Sequence, residues 1–97
     1  MDAVSRENRR DAASRIAQGW GLNNEQIEHL LDQPEQVTAV ISIHDSLQVI
    51  FSEEKDRANS WITKANKVFD GKSALEIIIN GDAERIRKYL KYHTYNA

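Results

Sequence analysis

Apolar residues return every three or four positions along almost the whole chain, and no stretch alternates apolar and polar long enough to require a strand. That periodicity predicts an all-α fold. At 97 residues the chain has the length of one domain with one modest core, since folding at this size removes only about two-thirds of the unfolded surface from water. The expected architecture is a single compact domain of five to six short helices. Residues 1–42 form a shortened, degenerate helix-turn-helix-like half and residues 43–97 a second helical half, packed as one unit.

Local signals place the helix ends. Ala13, Ile16, Ala17 and Trp20 make the inner stripe of a first helix that closes between Gly19 and Gly21. Asn23 and Gln26 have the spacing of a reciprocal capping box over a second helix whose buried side is Ile27, Leu30 and Leu31. Pro34 suits the first turn of a third, longest helix with Val37, Val40, Ile41, His44, Leu47 and Phe51 in one stripe, widened by Ile43 and Ile50. Ser52, followed by Glu53 and Glu54, predicts the next helix start, with Ala58, Trp61, Ile62 and Ala65 turned to the core. After a break at Asp70-Gly71, Ser73 and Glu76 predict a capping box over a short helix closed by Asn80-Gly81. Asp82 is expected to cap the last helix, with Ile86, Tyr89, Leu90 and His93 inward and Arg85, Arg87, Lys88 and Lys91 around the rest.

The net charge of −2 is unevenly spread. Residues 1–22 hold four Arg and three acids, residues 23–56 one Lys and eight acids, and residues 57–97 eight bases and four acids. An acidic middle and a basic C-terminal third suggest two faces with different surroundings. The absence of cysteine excludes a disulfide framework, a thiolate metal site and a cysteine nucleophile, and fits a reducing cytoplasm. No apolar run follows the first charges, so neither a signal peptide nor a membrane anchor is expected and the chain is expected to stay in the cytoplasm.

Catalysis needs an activated nucleophile or a paired acid and base in a pocket, and the sequence offers little of either. Asp70-Gly71-Lys72-Ser73 has the end of a phosphate-binding loop without its first glycine or its preceding strand. Glu25, His29 and Asp32 have helical spacing that could present three metal ligands, but the outer side of any amphipathic helix looks the same. His44, on an apolar stripe, is expected to donate to a backbone carbonyl. No catalytic, cofactor or metal site is therefore expected. A helix-turn-helix reading of Leu22–Leu31 and Glu35–Ile41 requires bases on the second helix, yet residues 34–40 hold no base and one acid. DNA contact would fall to Arg6, Arg9, Arg10 and Arg15 or to the C-terminal bases.

From Ile43 onward the order of residues carries a resemblance. Ile43-His44-Asp45-Ser46-Leu47-Gln48-Val49-Ile50-Phe51, then Trp61-Ile62, Asn66, Phe69-Asp70-Gly71-Lys72-Ser73-Ala74-Leu75-Glu76, Gly81 and Ile86-Arg87-Lys88-Tyr89-Leu90 resembles the toxin-binding domain of the Xre/MbcA/ParS-like antitoxins. The motif residues are His44, Trp61, Asn66, Gly71, Ser73, Glu76, Gly81, Tyr89 and Leu90. Ala74 stands where proline often follows the capping residue. The resemblance implies a cytoplasmic, non-catalytic antitoxin that binds a RES-domain toxin, an enzyme that destroys NAD, and covers its active-site cleft with the C-terminal region. It also implies a homodimer within a toxin–antitoxin hetero-oligomer. Repression of its own operon as a small helix-turn-helix regulator is the alternative.

The physical reading of the motif is mostly structural. Trp61 is expected to pack, Gly71 and Gly81 to serve backbone conformation, and Asn66 to tie down the turn before Gly71. What remains for a partner is Arg85, Lys88, Lys91, Tyr92, Tyr95 and Asn96, since tyrosine and arginine combine apolar area with a polar end.

Overall fold

The computed structural model describes the backbone of residues 2–96, and the side chains there except at positions 2–7, 55 and 94–96. Helices α1 (Asp2–Gly19), α2 (Asn24–Leu30) and α3 (Pro34–Ile50) make the first half. Helix α4 (Lys55–Thr63), strands β1 (Ala65–Asn66) and β2 (Lys72–Ser73), helix α5 (Ala74–Ile79) and helix α6 (Ala83–Asn96) make the second.

The expected caps form where their chemistry is strongest. Asn23 Oδ1 accepts from the Gln26 amide at 2.8 Å while Gln26 Oε1 accepts from the Asn23 amide at 2.9 Å, so two orphan donors of α2 are satisfied reciprocally. Helix α1 ends as the glycine pattern predicts, with the Gly21 amide donating to Gln18 and the Leu22 amide to Ala17. The same pair of bonds closes α5: Gly81 donates to Ile78 and Asp82 to Ile77. At φ +98° Gly81 holds a conformation that a side chain would strain. Pro34 is the first residue of α3.

Helix α3 is the post of the fold. Its Ala39, Val40, Ile43 and Leu47 are buried, and it packs most extensively on α6 and then on α1. Ala13 and Ala17 are fully buried on α1, and such small residues let the two helix backbones lie close. Ile86 and Leu90 enter the same core from α6, Ile77 and Ile78 from α5, and Ile62 from α4. Polar links fix the arrangement: Gln36 Nε2 donates to the Gly81 carbonyl at 2.9 Å, tying the first turn of α3 to the connection before α6. Arg10 donates to the carbonyl of Leu31, the C-cap of α2.

Several local expectations give way. Ser52 does not cap α4; residues 51–54 are used to reverse the chain, with the Glu54 amide donating to the Phe51 carbonyl, and α4 begins at Lys55. Glu54 stands at the cap position without a side-chain cap bond and accepts instead from Arg57 Nη1 at 2.8 Å. Ala65 is exposed, because α4 stops at Thr63 and Ala65 enters a strand. That strand pair is antiparallel, Ala65 opposite Ser73 and Asn66 opposite Lys72, too short for any period-2 signal. Of the Ser73–Glu76 pair, the bond from the Glu76 amide to Ser73 Oγ forms at 3.1 Å. Asp82 meets the start of α6 through its carbonyl, which accepts from the Arg85 amide at 3.2 Å. Ile43 is in the core, whereas Ile50 is exposed.

Ile86 has no exposed surface and sits where α6 meets α3. Ile86→Ala is expected to lower stability by about 2–5 kcal/mol, a large part of the roughly 5–15 kcal/mol typical of whole domains. Urea unfolding checks this as a lowered midpoint at an unchanged slope.

Candidate functional site

The second half builds an aromatic and cationic surface around one turn. Asn66 Oδ1 accepts from the Val68 amide at 3.0 Å, starting a single 3-10 turn over Lys67–Phe69, and the Asn66 carbonyl accepts from the Gly71 amide at 3.0 Å. Asp70 and Gly71 follow with φ of +58° and +85°, two left-handed residues in succession, which an Asp tolerates and a Gly takes freely. The reversal lays β2 beside β1, sends Phe69 inward and leaves Val68 52% exposed.

Phe69 is the inner end of a chain of rings. Its ring meets Trp61 edge-on at 6.2 Å and Tyr89 edge-on at 5.2 Å, while Trp61 stacks on Tyr89 at 6.1 Å with 14° between the planes. Tyr89 then touches the His93 ring at 4.4 Å, and His93 meets Tyr92 at 5.7 Å, nearly perpendicular. The Arg85 guanidinium carbon lies 5.6 Å from the Phe69 centroid, close enough for a cation–π attraction. Burial runs from Phe69, through half-buried Trp61 and Tyr89, to exposed His93 and Tyr92. The ladder thus links the core at Phe69 to the surface of α6.

Arg85, Lys88 and Tyr92 follow at helical spacing and share one exposed stripe beside the ladder. Lys91 does not belong to it. It lines a groove with Arg9 of α1 and Thr38, Ile41, Asp45 and Val49 of α3, on another side of α6. The side chains of Tyr95 and Asn96 lie outside the described residues. His93 is exposed rather than inward, because Leu90 completes the core contact and the His93 ring rests on Tyr89. His44 is half-buried on the far side of α3, lining a cleft with α1 and α4; among the described residues it donates to no backbone carbonyl. Glu25, His29 and Asp32 are exposed on and just after α2, and among the described residues no three His, Asp or Glu gather as a metal site. Val68 went unmarked in the sequence; its signal is an apolar residue between a capping Asn and a left-handed pair, where no helical stripe can bury it.

Tyr89 and Leu90 anchor α6 while Arg87 holds its edge. The Arg87 guanidinium grips the Glu84 carboxylate through two bonds, Nε to Oε2 at 2.9 Å and Nη2 to Oε1. That hydrogen bonding holds the Glu84 carboxyl below its usual range and pushes the Arg87 guanidinium up. A carboxyl lowered in the folded state stabilises above its unfolded pKa, about 4.3, and loses the contribution as pH falls through the lower folded value. Glu84→Gln is therefore expected to flatten the acid limb of stability below about pH 4.3. Both partners are partly solvated, so the change at neutral pH is within about 1 kcal/mol. Thermal melts across pH on the two proteins check it.

Residues 46–95, half of the chain, match the family model of the antitoxin Xre/MbcA/ParS C-terminal toxin-binding domain. The chain belongs to this family. An uncharacterised protein, y4oB, of Sinorhizobium fredii is similar, 39% identical over 62 residues, 61% of this chain. The chain spans about half of that relative, 47% of its length. No solved structure matches. The Xre/MbcA/ParS match contains the whole ladder, the Asn66–Gly71 turn and the Arg85–Lys88–Tyr92 stripe. His44, among the motif residues, and Asn96 fall outside it. No described helix is long and apolar enough to cross a membrane.

Proposed function

We propose that this Xre/MbcA/ParS family chain is a cytoplasmic antitoxin of a RES-type NAD-degrading toxin, acting by steric cover of the toxin's active-site cleft and without catalysis of its own. The observation that carries the reading is the coincidence of the toxin-binding match with the exposed stripe Arg85, Lys88 and Tyr92, braced from beneath by the ring ladder. Aromatic side chains make good anchors because little conformational freedom is lost when they are covered, and Arg85 is already drawn to the Phe69 ring. Tyr95 and Asn96 are assigned to the same contact on the sequence alone, whereas Lys91 faces the groove with Arg9 and Asp45 on another side of α6.

The test is an NAD-consumption assay with the toxin co-produced beside this chain. The full chain suppresses NAD loss, Arg85→Ala and Tyr92→Ala each weaken the complex by about tenfold or more, and a chain ending at Leu90 fails to protect. Equal protection by the shortened chain overturns the proposal.

A homodimer within the toxin–antitoxin assembly completes the reading. Val49 is 64% exposed and Ile50 follows it on the last turn of α3, an apolar end outside the core that suits a second copy. Val49→Asp is expected to shift the sedimentation profile of the isolated protein from dimer to monomer while its circular dichroism stays unchanged.

A further inference from the structure

The toxin-binding match takes in more exposed surface than α6 alone offers. Between β1 and β2 the chain presents the single turn Lys67–Phe69, whose backbone is held at three points. Asn66 Oδ1 accepts from the Val68 amide, the Lys67 carbonyl from the Asp70 amide at 3.2 Å, and the Asn66 carbonyl from the Gly71 amide. Phe69 is buried in the core, whereas Val68 stands exposed in the middle of the turn. A lone exposed valine is ordinary on a protein surface. One fixed in this way has little freedom left to lose when a partner covers it, because its backbone is already set and branching restricts its one side-chain torsion.

The charges around Val68 are mostly of one sign. Residues 64–72 hold three lysines and one aspartate. Lys64, Lys67 and Lys72 are exposed, and among the described residues none of the three is ion-paired. The turn is also continuous with the α6 stripe, because the Arg85 guanidinium lies over the ring of Phe69, the residue next to Val68. Arg85 thus links two exposed apolar side chains, Val68 beside the ring it covers and Tyr92 two turns further along α6.

We propose that Val68 is a second anchor for the toxin, seated in an apolar socket whose rim is acidic and meets Lys64, Lys67 and Lys72. The inference rests on the toxin-binding reading of α6 and extends it to a separate segment, the turn between β1 and β2. An acidic rim is the complement of this surface: opposite potentials speed encounter and fix register, whereas a basic rim would face three unpaired lysines. The socket follows from Val68 itself, since a branched apolar side chain gains from leaving water where apolar atoms replace it. The two contributions separate kinetically, rim charges acting on association and a covered anchor on dissociation.

The test measures association and dissociation of the full chain with the toxin of the NAD assay, by surface plasmon resonance at low and physiological salt. Val68→Asp is expected to weaken the complex by about tenfold or more and Val68→Ala by about threefold to tenfold, chiefly through faster dissociation, while Val68→Ile binds as the parent does. Lys67→Glu combined with Lys72→Glu slows association by about tenfold at low salt and flattens its salt dependence. Melting temperatures of all these variants stay level, because the altered side chains are exposed. If Val68→Asp dissociates at the parent rate while Tyr92→Ala still weakens the complex, the α6 reading stands and the second anchor is overturned. Association left unchanged by the two lysine reversals overturns the acidic rim. A melting temperature lowered by Val68→Ala in step with binding assigns Val68 to the fold instead, and a full chain that binds no toxin overturns both readings.

Discussion

The contact between α3 and its two flanking helices decides everything else in the molecule. Val40, Ile43 and Leu47 are completely or almost completely buried, and they are reached from one side by the alanines of α1 and from another by Ile86 and Leu90 of α6. Because a 97-residue chain has one core, there is no second cluster to hold α6 if this one loosens. The Gln36 bond to the Gly81 carbonyl closes the same arrangement at its other end. Removing the inner side chains of α3 would therefore release the proposed toxin-facing helix as well as the core.

The second dependence is the turn from Asn66 to Gly71. A chain that must reverse in six residues between two helices needs its free amides satisfied, and Asn66 does this through both its side chain and its carbonyl. The reward is positional: Phe69 is driven under Trp61 and Tyr89, and the rings that follow stand on it. Arg85 over the Phe69 ring joins the cationic stripe to that foundation. Asn66 and Tyr92 are thus joined through Phe69, Tyr89 and His93 without touching. That accounts for motif residues that are structural in themselves yet sit within a toxin-binding domain.

Elements governed by neighbours in sequence were legible. The Asn23–Gln26 capping box, the Gly21 and Gly81 helix ends, Pro34 at the start of α3 and the Asn66 tie all depend on residues within five positions of one another, so pattern and outcome share one scale. Failures occur where a distant contact chooses between equivalent local options. Ser52 is as good a cap as any, but the reversal after Phe51 needs those residues first. Ala65 continues a helical stripe on paper, and the pairing with Ser73 removes it. Lys91 shares a helix with Arg85 and Tyr92, but helix rotation turns it to Arg9 and Asp45. Which side of a helix is covered depends on partners that periodicity does not name. The cleft beside His44 was illegible for the same reason, since its three walls come from three helices.

The charge split takes on a different meaning once the side chains are placed. Arg9 and Arg10, two of the four arginines that a DNA arm would use, are engaged by the first half of the fold: Arg9 Nη2 donates to Thr38 Oγ1 at 3.0 Å and Arg10 to the Leu31 carbonyl. Each bond goes to a neutral acceptor, so both guanidinium groups keep their charge while one of their donors fixes them to the fold. Glu25 and Glu28 of α2, Asp32 after it and Glu35 at the start of α3 are exposed, and Asp32 lines a groove with Arg9 and Arg10. The bases of α6 differ in company rather than in number. Arg85 and Lys88 stand among Tyr89 and Tyr92, a mixture of cations and aromatic area that is enriched in protein interfaces.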